Sequence, residues 1–220
     1  MAEIGNGTIA FANTVPEAER AALVREAFRL EYFTFAWMIV EAAVAIGAGV
    51  AAQSITLLAF GVDSLIELTS AGVLIWRLNV ELRRGQSFSE TAEHTASRIG
   101  GALLFALAGY VMVAAGWGFW IREGQAFSWP GLLVALVAIP TMWVLSRRKL
   151  RIAAALGSRA LRADAVESIT CGWLSFAVVI GLMAQLVLGA WWIDSATSLV
   201  IVWLLVKEGR EAWNAEEDEG

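Results

Sequence analysis

Few residues of this chain are charged, and only one is a cysteine. Charged residues make up 17% of the 220 residues and hydrophobic residues 58%, whereas soluble domains have about 25% and 45–50%. This composition excludes an ordinary water-soluble globule. The single cysteine excludes an intrachain disulfide. A net charge of −5 without a basic block argues against nucleic acid as a partner. Residues 1–29 lack an apolar core followed by a cleavage site, so we expect no signal peptide.

Long apolar segments dominate the chain, and each is close to the roughly 20 residues that cross a bilayer. Only helices and closed barrels satisfy their backbone inside lipid, and the alternation of barrel strands is not present. We therefore predict an all-α membrane protein with six transmembrane helices, and no length remains for a second folded domain. The predicted spans cover residues 32–52, 55–76, 99–121, 129–146, 165–188 and 191–206.

Basic residues predict the orientation of these spans. Of the 16 basic residues, only Arg122 falls on the side opposite to the others. Cytoplasmic segments carry the excess of Lys and Arg, so both termini are predicted to be cytoplasmic. The expected organisation is a cytoplasmic segment 1–29, a transmembrane transporter domain 30–209 and an acidic cytoplasmic tail 210–220. We expect a multi-pass protein of the plasma (inner) membrane.

Acidic residues inside the spans are the informative feature. A carboxylate at mid-bilayer costs at least about 2.5–3.5 kcal/mol, so it normally faces a cavity or a partner. These acids share the predicted spans with no basic residue, which argues against internal salt bridges. Protons, a metal ion or an organic cation must then supply the positive charge. The acids in or beside the spans are Glu41, Asp63, Glu67, Asp164, Glu167 and Asp194.

The spacing of these acids predicts a metal site. Asp63 and Glu67 are four residues apart and therefore share one face of helix 2, about 6 Å apart along its axis. Glu167 and Cys171 repeat this spacing in helix 5. Two facing helices with such pairs provide four ligands, and carboxylate with thiolate suits Zn²⁺ better than Mg²⁺ or Ca²⁺. The two halves of the chain would then form an inverted repeat with the site between them.

Other interpretations stay open at this point. A single acid pair is also explained by protonation and a hydrogen bond, and Cys171 alone by a place in the core. Glu41 is either an accessory oxygen or proton carrier, or a packing residue. Asp164 either lines a cytoplasmic access path or caps the start of helix 5. Asp194, near the outer surface, is best interpreted as a cap of helix 6.

The sequence resembles the cation diffusion facilitators, which are six-helix exporters of divalent metals driven by proton exchange. The stretch Ser54–Glu67 is similar to the family's helix 2 signature, in which a Ser and a Leu-Leu-Ala precede an Asp or His, a Ser, and an acid four residues on. The stretch Ser158–Asp164 resembles the approach to its helix 5, and Trp-Trp-Ile-Asp at 191–194 resembles the start of its last helix. By position, the family's helix 5 ligands, usually His and Asp, fall on Glu167 and Cys171.

The resemblance implies an exporter of Zn²⁺, or of Cd²⁺, Fe²⁺, Co²⁺ or Mn²⁺, in exchange for protons. It implies a short form without the family's C-terminal cytoplasmic domain, so that any homodimer rests on membrane helices. Clustered carboxylates repel one another when ionised, so an empty site retains protons and a cation displaces them. No nucleophile with a base and no phosphate-binding loop is found, so we expect a secondary transporter without cofactors and no enzyme. The alternatives are an organic cation exporter and a non-transporting scaffold or metal sensor.

Overall fold

The described part of the chain folds into six helices. The computed structural model describes residues 17–84, 90–122 and 125–214, and these contain no strand. The helices are α1 (Glu17–Ala52), α2 (Ile55–Arg84), α3 (Glu90–Ile121), α4 (Trp129–Leu156), α5 (Arg159–Leu188) and α6 (Ile193–Asn214).

Five of these helices, α1 to α5, are long and apolar enough to cross a membrane. The sixth, α6, has 22 residues and carries Asp194, Lys207 and Glu208, which lower its hydropathy. It packs against α2, α3 and α5 within the bundle. The prediction of an all-α membrane protein is confirmed.

The helix ends on the predicted outer side agree with the predicted spans, and the ends on the other side do not. Helices α1 and α2 meet at Gln53 and Ser54 as predicted, and α5 ends at Leu188, where Gly189 adopts a left-handed φ of 58°. By contrast, α2 continues to Arg84, and α4 continues to Leu156. Hydropathy identifies only the part of a helix that lies inside hydrocarbon. The backbone hydrogen bonds of the helix continue beyond that part.

The connection between α4 and α5 is therefore much shorter than predicted. It consists of Gly157, with a left-handed φ of 64°, and Ser158, whose side chain accepts a hydrogen bond from the backbone N–H of Leu161. Ser158 is the N-cap of α5, so the interpretation of Asp164 as its cap is wrong. Likewise α1 begins at Glu17, within the segment expected to precede the membrane domain. The acidic run at 216–219 lies outside the described residues.

Two helical hairpins, α1–α2 and α4–α5, form the centre of the bundle. They touch through α1 with α4 and through α2 with α5, while α3 and α6 pair with each other beside them. Exchanging the first three helices with the last three reproduces most of this pairing, as an inverted repeat requires. Buried apolar residues from both hairpins, including Met38, Phe60, Met142 and Leu174, form the core.

Candidate metal centre

Two buried acids of α2 carry carboxylate oxygens that have no hydrogen-bond partner among the described residues. Asp63 is 1% exposed and Glu67 is 5% exposed, one helical turn apart. Both carboxylate oxygens of Asp63 and Oε1 of Glu67 are buried and have no hydrogen-bond partner within the described part of the chain. Buried polar atoms are nearly always satisfied in folded proteins, so these oxygens are available to a proton, a water molecule or a cation.

Cys171 of α5 meets this acid pair from the opposite hairpin. Its thiol is fully buried. One ligand atom each from Asp63, Glu67 and Cys171 lies within 4.8 Å of the other two. The structure therefore brings together three of the four residues whose spacing predicted a metal site.

Glu167, the fourth predicted residue, is not part of this group. It is half-buried on α5, one turn before Cys171, and its carboxylate lies near the Ser70 hydroxyl of α2. Glu167 is nevertheless close enough to Glu67 to interact with it electrostatically. It lies beside the three-residue group.

Glu41 of α1 borders the group on another side. It is fully buried, and its Oε2 accepts a 2.6 Å hydrogen bond from Trp37 Nε1. Its Oε1 lies 2.8 Å from Ser64 Oγ and 3.5 Å from Cys171 Sγ. Glu41 is thus held in place by two neighbours while one oxygen stays in contact with the thiol.

Asp164 belongs to a separate cluster. Its carboxylate forms an ion pair with Lys149 of α4, which also pairs with Glu31 of α1 at 3.2 Å. Lys149 is fully buried. The expectation that the acids share the spans with no basic residue is therefore wrong, because α4 extends further than predicted and carries Lys149 into the bundle. Lys149 forms ion pairs with Asp164 and Glu31, whereas Asp63 and Glu67 form no ion pair in the described residues.

A comparison of the sequence with known families identifies the family of the chain. The model of the cation efflux transmembrane domain matches residues 32–214. The chain belongs to the cation efflux family. This cation efflux protein is a multi-pass transmembrane transporter of cations, and its family is one of transporters and not of enzymes. No curated protein matches the chain.

Asp194 of this cation efflux protein stabilises the helix that carries the acid pair. Its carboxylate accepts hydrogen bonds from Ser54 Oγ at 2.7 Å and from the backbone N–H groups of Ile55 and Thr56 at 2.8 and 3.3 Å. The two N–H groups lie in the first turn of α2, where backbone donors have no acceptor within the helix. The prediction that Asp194 caps helix 6 is wrong, since its carboxylate caps α2 across the helix interface.

Sequence reasoning missed Glu31, Lys149 and Glu208. Lys149 lies four residues after buried Leu145 and three before buried Ile152, so its position on the buried face of α4 was visible in the spacing. Glu31 directly precedes the predicted first span. Glu208, buried on α6, interacts electrostatically with Glu67, and only the fold shows this proximity.

Three possible ligand atoms of the cation efflux protein lie within 4.8 Å of one another. Tetrahedral Zn²⁺ with bonds of roughly 2.0–2.3 Å separates its ligand atoms by about 3.3–3.8 Å. Two carboxylates and one thiol match a zinc ligand set, with one position left for a fourth group.

Proposed function

We propose that the protein exports Zn²⁺ in exchange for protons, holding the ion between Asp63, Glu67 and Cys171. The observation that carries the proposal is the convergence of these buried ligand atoms from two hairpins, with both oxygens of Asp63 lacking hydrogen-bond partners. Burying ionised carboxylates without a partner is costly. A divalent cation removes that cost, because it supplies the charge that no nearby basic side chain supplies.

The thiol favours zinc among the divalent cations. Thiolate sulfur selects soft or borderline ions, whereas Mg²⁺ and Ca²⁺ take oxygen ligands. Cd²⁺ shares this preference for sulfur, and Fe²⁺, Co²⁺ and Mn²⁺ are weaker candidates for the same site. Glu167, one turn before Cys171 on α5, completes the coordination by turning towards the acid pair. Glu41, already in contact with the thiol, is the alternative fourth ligand.

Proton exchange follows from the same ligand set. A metal ion binds deprotonated carboxylate and thiolate, so its binding releases the protons that these groups carry in the empty site. Release of the metal on the outer side of the plasma membrane lets protons return to the ligands. Because the site ligands are divided between two hairpins, movement of one hairpin against the other alternates access to the ion.

An organic cation exporter fits the site less well. Recognition of an organic cation favours an aromatic cage. Trp173, one of the two aromatic residues nearest the acid pairs in sequence, is 57% exposed on the outer surface of α5. The other, Phe60, is buried in the core.

Transport by purified protein in liposomes tests the proposal. With a zinc-sensitive dye and a pH dye inside, the parent should move Zn²⁺ and protons in opposite directions. Asp63→Asn and Cys171→Ala should lower the rate by about 100-fold or more, because loss of even an outer-shell partner costs about 10–100-fold. Glu26→Gln, a change to an exposed acid of α1, is the matched control. Equal Zn²⁺ transport by Asp63→Asn and the parent would refute the site, and Zn²⁺ flux without proton flux would refute the exchange.

The fourth ligand is identified by comparing two isosteric variants. Glu167→Gln should weaken Zn²⁺ binding more than Glu41→Gln if Glu167 completes the coordination. The opposite order would assign the position to Glu41. Zinc affinity of the purified variants, measured by competition with a chelating dye, gives the answer without depending on transport.

A further inference from the structure

Two ion pairs join the hairpins at the end of the bundle that the basic residues mark as cytoplasmic. Glu31 of α1 pairs with Lys149 of α4 at 3.2 Å, and both side chains are fully buried. Glu26 of α1 pairs with Arg151 of α4 at 2.9 Å, but these side chains are 41% and 70% exposed. The same two helices thus carry one buried and one exposed pair.

The buried pair lies between the candidate metal centre and the cytoplasm. Glu31 precedes Glu41 by ten residues of α1, or about 15 Å along the helix, and Asp164 precedes Cys171 by seven residues of α5, or about 10 Å. An ion that reaches Cys171 from the cytoplasm between the hairpins passes this level of the bundle.

The partners of Lys149 are divided between the two hairpins. Asp164 and Ser168 belong to α5, in the same hairpin as Lys149, whereas Glu31 belongs to the other hairpin. Separating the hairpins at this level breaks the bond to Glu31 and leaves the bond to Asp164 intact. Lys149 therefore keeps a counterion when the hairpins part.

Glu31, in contrast, loses its hydrogen bond to Lys149 when the hairpins separate. Its Oε1 is buried and has no hydrogen-bond partner in the described residues, so Lys149 is its hydrogen-bonded cation. Breaking a buried ion pair leaves an uncompensated charge, which favours the closed arrangement until water or a cation enters. We propose that Lys149 is a positioning residue that closes the cytoplasmic path to the metal centre by holding Glu31. This inference rests on the proposed transport through a site between the hairpins.

The chain's only cysteine makes this closure measurable. Cys171 lies in the metal centre and is fully buried in the closed structure. Its labelling by a membrane-impermeant maleimide, applied without metal to the cytoplasmic face of inside-out vesicles, reports opening of the path. Glu31→Gln and Lys149→Met should raise the labelling rate by about tenfold or more, because both remove the buried pair. Lys149→Arg should stay near the parental rate, since it keeps the charge.

The exposed pair provides the matched controls. Glu26→Gln and Arg151→Met should label within about twofold of the parent, because exposed pairs contribute little. Parental labelling rates in Glu31→Gln would overturn the proposal. Equal acceleration from both faces of the membrane would also overturn it, since that result indicates general loosening. If Lys149→Met does not fold, Glu31→Gln decides, because it leaves the bond between Lys149 and Asp164 in place.

This experiment distinguishes the closure of the cytoplasmic path by the Glu31–Lys149 pair, called the latch below, from the proposed function. The labelling needs no metal, so faster cytoplasmic labelling of Glu31→Gln supports the latch even if the parent moves no Zn²⁺. Conversely, zinc transport with unchanged labelling in Glu31→Gln supports the metal centre and rejects the latch.

Discussion

Replacing Asp194 with Asn tests how the outer end of α2 is held. Asp194 Oδ1 accepts hydrogen bonds from Ser54 Oγ and Thr56 N, while Oδ2 accepts one from Ile55 N. Asn keeps one acceptor oxygen and replaces the other with an NH₂ group. At least one of these donors then faces another donor and loses its partner.

The expected loss of stability follows from these contacts. An unsatisfied buried donor costs about 1–3 kcal/mol, and loss of the negative charge at a helix N-terminus costs about 0.3–1 kcal/mol more. We expect a total of about 1.3–4 kcal/mol, which lowers Tm by at least about 2.6 °C at 2–4 °C per kcal/mol. If Asp194 instead capped its own helix, Asn would be an equally good cap and Tm would hardly change.

Thermal unfolding in detergent, followed by tryptophan fluorescence, measures this difference. Glu26→Gln is the control, because its exposed ion pair contributes at most about 1 kcal/mol. Ser54→Ala should also destabilise the protein, by about 0.5–2 kcal/mol, because it removes the hydrogen bond to Asp194 and the acceptor of the Leu57 N–H group. A Tm for Asp194→Asn within about 2 °C of the parent would refute the capping of α2 by α6.

Two further predictions concern the crossing of α1 and α2 and the choice of metal. Gly61→Ala should destabilise the protein by about 1–3 kcal/mol, because the added Cβ would lie 2.6 Å from Cγ1 of Ile46 and 2.9 Å from the backbone N of Ile46. Gly47→Ala is the control: its added Cβ would have no atom within 4 Å, so the change should be neutral or stabilising by up to about 1 kcal/mol in the same unfolding assay. Equal effects of the two would contradict the close α1–α2 approach. Cys171→Asp should lower the ratio of Cd²⁺ to Mn²⁺ affinity by about tenfold or more in dye competition, since it replaces sulfur with oxygen; an unchanged ratio would show that the thiol is not a ligand.

The sequence predicts the helices well because the hydropathy of a segment indicates whether that segment lies in lipid. It predicted the turn at Gln53 and Ser54 and the end of α5 at Leu188, where apolar residues stop abruptly. It does not predict the extension of α4 to Leu156, because the basic residues at 147–151 interrupt the continuous apolar run. The burial of Lys149 is indicated only by the helical spacing of Leu145 and Ile152 on either side of it.

The candidate site was predicted in part for a similar reason. Spacing of four residues places two side chains on one face, which is a local property of the chain, so Asp63 with Glu67 could be paired from sequence. Whether α5 presents Cys171 or Glu167 to that pair depends on helix packing, which spacing does not determine. The partner of Asp194 likewise lies 140 residues away in sequence, beyond any local pattern.

X-ray absorption at the zinc edge tests the central claim most directly. The zinc-loaded parent should show one sulfur neighbour at about 2.3 Å together with oxygen neighbours at about 2.0–2.2 Å. Cys171 is the only cysteine, so Cys171→Ser should lose the sulfur neighbour. A zinc ion surrounded only by oxygen or nitrogen in the parent protein would contradict the assignment of the metal centre to Asp63, Glu67 and Cys171.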